Sequence, residues 1–261
     1  MKKLSRFYIG LVLAFLYLPI LVLIVFSFNA SKSRNVWTGF TLDWYKELFS
    51  NEVIISSLVS TLIVAVIASL IATVLGTAAA VGIYSMKKTP RNIILNISYL
   101  PIINPEIVTG VSLMMLFLFL GFKRDYTTLI MAHITFCVPY VILNVMPKLR
   151  QLNPNLFEAA QDLGCHPMKA FFRVILPEIM PGVLSGMLIS FTYSVDDFVI
   201  SYFTSDIQTL PITIYSMTRR RVSPEINALS AIIFVVVLLV LIVMNLADAR
   251  RAKRMNAPAR Y

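Results

Sequence analysis

Six apolar runs, each near or above the roughly 20 residues needed to cross a bilayer, constrain this chain before any motif is read. They cover approximately residues 7–28, 53–85, 93–121, 126–147, 178–202 and 226–247. Hydrocarbon offers no water to satisfy backbone N–H and C=O groups, so such runs fold as helices. The sequence therefore reads as all-α: a polytopic membrane protein with six transmembrane helices in a single transmembrane domain over 1–261. Composition agrees, with 58% hydrophobic and 14% charged residues, where a soluble domain carries about a quarter charged. The second run exceeds a perpendicular crossing and is expected to tilt or project. The first follows Met1-Lys2-Lys3 and Arg6, as a signal peptide would. Its apolar run is too long for an h-region and no small-residue cleavage site follows, so it is expected to remain as a span.

Charge placement sets the expected orientation. The net charge of +10 sits in short clusters at span ends, unlike the basic stripe of a nucleic-acid binder. With the N-terminus inside, Lys2, Lys3, Arg6, Lys87, Lys88, Arg91, Lys148, Arg150, Lys169, Arg173 and the basic tail from Arg250 to Arg260 fall on the inner side. Lys32, Arg34, Lys46, Lys123, Arg124 and Arg219–Arg221 fall outside. The bias places both termini in the cytoplasm, with Arg219–Arg221 counting against it. The tail after Arg250 is expected to meet anionic headgroups. The loop with Trp37, Phe40, Trp44, Tyr45 and Phe49 reads as an amphipathic element on the outer leaflet.

Between the fourth and fifth runs lies a polar elbow, 152–177. Asn153 can cap a helix that starts at Pro154, with Leu152 and Phe157 as a hydrophobic staple. That helix carries Glu158, Ala159, Ala160 and Asp162 and ends at Gly164, which tolerates a left-handed cap. His166-Pro167 starts a second short helix through Phe171, Phe172 and Val174, and Pro177 is expected to break it and launch the fifth span. Ala159 and Ala160 would admit another surface at close range. An ordinary interfacial loop is the alternative reading.

Acids inside the apolar runs supply the chemistry. Glu106 lies near the middle of the third run, after Pro101 and Pro105, and Asp196-Asp197 lie toward the outer end of the fifth. A carboxylate at the bilayer centre costs at least about 2.5–3.5 kcal/mol, and no Lys or Arg stands in the apolar interiors to offset it. Each acid must meet water, a proton or a cationic ligand. Asp196 and Asp197 diverge by about 100° on a helix, so one of them is expected to face a given path. Two bland readings stay open: the Asp pair solvated at a span end, and Glu106 satisfying backbone groups freed by the prolines. The prolines predict a broken third helix of the kind that lines cavities. Tyr193, Phe191 and Tyr202 offer cation–π faces, or serve as interface anchors. Gly182-x-x-x-Gly186 permits close helix packing. His133 reads as an interhelical hydrogen-bonding residue rather than a ligand. Cys137 and Cys165 are not expected to pair, and no metal-ligand spacing occurs. No Gly-x-x-x-x-Gly-Lys-Ser/Thr loop exists to cradle ATP phosphates, so the chain reads as a non-enzyme, without a cofactor of its own.

The elbow's order of residues is specific. Glu158-Ala159-Ala160, Gly164 six positions after the Glu, then Val174 and Leu176-Pro177 resemble the EAA motif of binding-protein-dependent ABC importer permeases. Further segments resemble the polyamine branch of that family over nearly the whole chain: Tyr17-Leu18-Pro19-Ile20, Ser27-Phe28-Asn29, Trp37-x-Gly39-Phe40-Thr41, His133–Cys137, Ser194–Asp197, Tyr215–Met217 and Val222–Ala228. The resemblance implies a type I (MetI-like) permease with its core over 53–250. It implies a coupling elbow built on Glu158, Ala159, Ala160, Asp162, Gly164, Val174, Leu176 and Pro177. A substrate pathway would involve Asp196, Asp197, Glu106, Tyr193 and Phe191. Implied partners are a second, homologous permease, two ATP-binding subunits that hold the ATP and Mg, and an extracellular or periplasmic substrate-binding protein. Arg219–Arg221, outside on this topology, would repel a free polyamine and are expected to contact acidic surface on that binding protein. The expected cargo is spermidine or putrescine. Another organic cation, an amino-acid derivative or a metal complex remains the alternative, and behind it a proton-coupled carrier using the same acids.

Overall fold

The computed structural model describes residues 2–31, 36–153, 155–220 and 224–255. Pro154, Lys32, Arg34, Arg221, Val222, Ser223 and Arg260 lie outside the described residues. Among the described residues the regular elements are helices: α1 Lys2–Phe26, α2 Asp43–Ser50, α3 Glu52–Tyr84, α4 Lys88–Ile103, α5 Glu106–Phe119, α6 Tyr126–Gln151, α7 Leu156–Asp162, α8 Pro167–Ala170, α9 Leu176–Asp196, α10 Val199–Thr204, α11 Leu210–Arg220 and α12 Pro224–Met255. Four stretches are long and apolar enough to cross a membrane, namely Arg6–Phe26, Glu52–Tyr84, Tyr126–Gln151 and Pro167–Asp196. The α4–α5 pair qualifies as a fifth only when both limbs are taken together.

Two runs differ from their sequence reading. The third is broken as the prolines require, but the bend between α4 and α5 is 101°, far sharper than a kink in one span. Pro105 has no N–H to continue α4 and disfavours the α region at Asn104; Asn104 is extended (ψ 141°). The fifth run ends at Asp196 rather than at 202, because Asp197 turns extended (ψ 121°) and a separate helix, α10, follows. The sixth run lies within α12, of which Pro224–Leu239 is the apolar stretch whose side chains are described.

Two compact units divide the chain: 1–55 with 214–261, and 56–213. In the first, α12 packs on α1 and α2. Trp44 is buried and donates from Nε1 to the Asn29 carbonyl at 2.7 Å. Ser27 Oγ and Tyr45 OH lie 2.7 Å apart, and Phe28 stacks on Phe40 with centroids 5.3 Å apart. The described part of the segment between α1 and α2 therefore folds back onto protein. Trp37, Phe40 and Phe49 remain exposed, so only that half of the segment is available to lipid.

In the second unit α6 is the axis. A Cβ on Gly182 would meet the Asn144 carbonyl at 2.8 Å, and one on Gly186 would meet Val141 Cα at 3.0 Å. Gly76 of α3 faces the same Val141, at 2.6 Å from its Cβ. These glycines bring backbones close enough for extensive van der Waals contact, which drives helix association where lipid is as apolar as leucine. Two apolar clusters result. One joins Ala80, Leu95, Val145, Leu149, Ile175 and Ile179; the other joins Ala72, Phe117, Ala132, Phe136, Cys137 and Ile200.

Overpacking of such a contact costs about 1–3 kcal/mol, whereas a Cβ on Gly82 meets nothing within 4 Å. Gly76→Ala and Gly182→Ala should therefore lower the thermal unfolding midpoint of the detergent-solubilised protein. Gly82→Ala, on the same helix as Gly76, should leave it unchanged or raise it. Equal midpoints for Gly76→Ala and Gly82→Ala would refute the packing argument.

Candidate functional site: an acidic cavity and a helical elbow

The second unit carries two sites, one toward each end of α9. Toward its C-terminal end lies a cavity of about 220 Å³ lined by Pro101, Glu106, Thr109, Phe136, Tyr140, Tyr193, Asp196, Asp197, Phe198, Val199 and Ile200. Helix α5 begins at Glu106 because Pro105 fixes a helix-entry φ and the acid favours the first turn. Helix α10 rests against α5, where Gly110 allows approach: a Cβ there would lie 3.3 Å from Phe203 Cδ2 and 3.4 Å from Ile200 Cα. Tyr140 of α6 and Tyr193 of α9 stack with centroids 4.5 Å apart at 21°, giving the cavity an aromatic wall.

The acids fall into two kinds. Asp197 accepts from Ile200 N at 3.2 Å, Ser201 N at 2.7 Å and Ser201 Oγ at 2.8 Å, and its side chain is only 5% exposed. It caps α10 from inside the protein. Glu106 and Asp196 are exposed toward the cavity. Neither makes an ion pair or a side-chain hydrogen bond to another residue among the described residues, and Glu106 does not serve the backbone groups that the prolines free. Adjacent positions at the end of one helix thus point apart, as helical geometry requires.

Of the aromatic residues expected here, Tyr193 lines the cavity and Phe191 does not. Tyr202 belongs elsewhere, beside Arg124, Phe203 and Asp206. There Arg124 donates to the carbonyls of Tyr202 at 3.2 Å and Ser205 at 3.3 Å, and pairs with Asp206 at 3.3 Å. Phe136, Tyr140, Thr109 and Phe198 were not singled out from sequence. The spacing His133, Phe136, Tyr140 was the available signal, since these positions share one face of a 3.6-residue helix. His133 is an interhelical link: Nδ1 lies 2.6 Å from Ser194 Oγ and Nε2 lies 3.0 Å from Ser201 Oγ.

The elbow lies toward the other end of α9. Asn153 Oδ1 accepts from Asn155 N at 3.0 Å, and α7 starts at Leu156, later than the expected start at Pro154. Glu158, Ala159 and Asp162 are exposed, while Ala160 is buried, so only Ala159 of the alanine pair is open to another surface. Gly164 has φ +82°. Its N–H donates to Gln161 O at 2.8 Å and that of Cys165 to Ala160 O at 3.1 Å, the paired bonds of a Schellman cap. His166 then caps α8, with Pro167 in its first turn.

Pro177 does not break the chain. Residues 171–175 form a π turn, in which Leu176 N–H reaches Phe171 O, and Pro177 sits in the first turn of α9. A proline ring would clash with the carbonyl four residues back, here that of Arg173; the wider turn relieves the clash. Pro167–Asp196 is therefore one span of 30 residues, and the elbow is α7 joined to that span's own beginning. Val174 and Leu176 are half-buried along it. Leu163, Met168 and Phe172 are exposed apolar residues around the turn. A second cavity of about 400 Å³, with Tyr84, Leu149, Phe157, Glu158 and Phe171 in its lining, separates α7 and α8 from the ends of α3 and α6.

A non-glycine residue in the left-handed region costs roughly 1–2 kcal/mol, and Asn less than most. Gly164→Val should weaken the elbow and Gly164→Asn should retain most of its stability, read as protease sensitivity of the 152–177 segment. Identical cleavage rates for the two variants would show that the cap does not depend on this conformation.

Residues 72–257 match the family model described as "Binding-protein-dependent transport system inner membrane component". The chain is 34% identical over 249 residues to the "Spermidine/putrescine transport system permease protein PotC" of Haemophilus influenzae, covering 93% of this chain and 97% of that protein. It is 36% identical over 242 residues to the protein of the same description from Escherichia coli strain K12, covering 92% of each. It is also 38% identical over 228 residues to the "Putrescine transport system permease protein PotI" of that strain, covering 84% of this chain and 81% of that one. Among solved structures, a chain of a bacterial ABC transporter involved in the import of the acidic polysaccharide alginate superposes with TM-score 0.72 at 12% identity, covering 95% of each chain. A chain of the alginate transporter in complex with a pentasaccharide-bound periplasmic protein gives 0.70 at 20% identity, covering 96% of this chain and 94% of that one.

Proposed function

The chain belongs to the family of binding-protein-dependent transport system inner membrane components, and from that premise we propose that it is the translocation subunit of an ATP-driven importer for polyamines. Relatives named for spermidine and putrescine transport support the cargo. The observation that carries the reading is the cavity in which Glu106 and Asp196 stand beside a Tyr140–Tyr193 stack, with no Lys or Arg among the described residues that line it. An ammonium group offsets a carboxylate in a low-dielectric site and draws further stabilisation from an aromatic face. Methylene segments between ammonium groups match the apolar remainder of the lining.

Glu106, Asp196 and Tyr193, with Tyr140, form the substrate contacts. Asp197 and Phe191 stand outside that set, since the first is engaged in α10 and the second does not line the cavity. The elbow is the coupling element. Glu158, Ala159, Asp162 and the exposed Leu163, Met168 and Phe172 present the surface on which an ATP-binding subunit docks; Ala160, Gly164, Val174, Leu176 and Pro177 shape it. ATP and Mg belong to that partner. A second, homologous permease completes the pathway, two ATP-binding subunits grip the two elbows, and a substrate-binding protein delivers cargo to the opposite side. The six-span arrangement with both termini in the cytoplasm follows from the distribution of Lys and Arg and puts the elbow on the inner face. In that arrangement α12 counts as a span and α4–α5 as a bent one. The chain itself hydrolyses nothing.

The test is spermidine- and putrescine-stimulated ATP hydrolysis by the complex purified with its partner subunits and reconstituted in vesicles. Stimulation by polyamines but not by monoamines, acidic sugars or neutral amino acids is expected. Glu106→Gln and Asp196→Asn should each weaken polyamine stimulation by at least about tenfold, since losing one charged hydrogen bond is worth about 1.5–3 kcal/mol. Glu158→Lys should leave the permease inserted but uncouple hydrolysis from uptake. Stimulation by anionic or neutral cargo alone would overturn the polyamine reading, and normal coupling in Glu158→Lys would overturn the elbow assignment.

A further inference from the structure

The buried polar cluster next to the acidic cavity has an internal direction that follows from counting donors. Its members are Ser194 of α9, His133 of α6, Ser201 of α10 and Asp197, all within one unit. His133 is 1% exposed, and the two serines are buried. A buried hydroxyl has one proton to donate and loses the full desolvation cost if it finds no acceptor. Among the described residues Ser194 Oγ has one partner, His133 Nδ1 at 2.6 Å, so donation by Ser194 to an unprotonated Nδ1 is the arrangement that gives its proton an acceptor within the protein. The ring proton is therefore on Nε2, which donates to Ser201 Oγ at 3.0 Å. Ser201 in turn spends its own proton on Asp197 Oδ2 at 2.8 Å. Asp197 receives that bond and two backbone N–H groups, a set of donors that suits a carboxylate and leaves it no proton to share.

We propose that Ser194, His133, Ser201 and Asp197 form a one-way hydrogen-bond relay that positions α10 under the substrate cavity, with Asp197 as its buried terminus and not a substrate contact. The inference rests on the polyamine reading for its functional consequence but not for its geometry. The relay joins three helices at one imidazole. It holds Phe198, Val199 and Ile200, which line the cavity, and through Ile200 and Phe203 it supports α5, which carries Glu106. The titratable groups around His133 are Asp197, 3.5 Å from Nε2, and Cys137 in the next turn of α6, whose Sγ is directed to Ser190 O at 3.5 Å. Polyamine would then meet two carboxylates in this chain, Glu106 and Asp196, although three acids lie close together in the cavity lining.

Two measurements on the complex test this. The chain has two histidines, and the signals lost in His133→Asn are those of His133, set apart from His166 and from the partner subunits. In a ¹⁵N-histidine-labelled complex, His133 should show a protonated Nε2 and an unprotonated Nδ1; a proton on Nδ1 in the native protein would overturn the relay. Radiolabelled spermidine binding and ATP-driven uptake should separate the two neighbouring acids. Asp197→Asn should keep the dissociation constant within about threefold while uptake at saturation falls severalfold, because a neutral cap bonds less strongly than a charged one. Ser201→Ala, which interrupts the relay while leaving both acids, should give the same split. Asp196→Asn should raise the dissociation constant at least about tenfold. Asp197→Asn weakening binding as much as Asp196→Asn would sink the positioning role. Absence of spermidine binding by the native complex would sink the polyamine reading instead and leave the nitrogen spectrum to decide the relay.

Discussion

Close backbone contact between α6 and α9 is the constraint on which the second unit depends. Gly182 and Gly186 have no side chains to hold the helices apart, and the Asn144 carbonyl and Val141 Cα occupy the space a methyl would need. From that contact the apolar cluster around Val145 and Ile179 extends toward the elbow. In the other direction the same pair of helices brings Tyr140 onto Tyr193 and His133 onto Ser194. Loosening the glycine contact would therefore disturb the cavity and the elbow together, though neither glycine touches the acids.

Continuity of the helix from Pro167 to Asp196 gives that contact mechanical meaning. At 1.5 Å per residue, 30 residues span about 45 Å, so one element reaches from the elbow to the acidic cavity. Three prolines lie on it, and an interior proline ordinarily costs about 3 kcal/mol or more. Pro167 is placed at the start of α8, where no N–H is needed, and Pro177 follows a π turn that widens the ladder. Pro181 is left inside α9. The wide turn lies beside the elbow, a position where bending is least costly to the packed part of the helix. On the proposed function, displacement of α8 by a docked partner would reach Asp196 through this one rod.

How much of this could be read from sequence follows the range of the forces involved. Spans two and four were legible because apolar length is a local property, and the cap at Gly164 because glycine's left-handed conformation is local too. The break at Asn104-Pro105 was legible for the same reason, but not its 101° angle or the contact of α5 with α10, since no local pattern encodes either. The end of the fifth span was misplaced because Val199–Thr204 is apolar and helical in its own right; only the turn at Asp197 separates it. Trp44 and Tyr45 read as lipid-facing by residue type, yet Asn29 and Ser27 provide polar partners for them within the protein. In the cavity, acids announced themselves by being costly, whereas Tyr140 and Phe136 did not, since aromatic residues on an apolar helix look like ordinary core.

The contrast between Asp196 and Asp197 shows how one charged dipeptide can serve structure and function at once. Asp197 enters the protein only because α10 offers it two backbone N–H groups and a hydroxyl in a single turn, bonds that replace the water it gives up. Asp196, one position earlier and rotated by about 100°, takes no such bond from another residue among the described residues and stays at the cavity surface. A single acid could not do both tasks, because a carboxylate saturated by internal donors has little left for an incoming ammonium. Nor could a lysine replace the missing partner of Asp196 without filling the space a cationic cargo would occupy. The pairing of one satisfied acid with one unsatisfied acid keeps the cavity both folded and negative, which is the condition a cationic substrate would require.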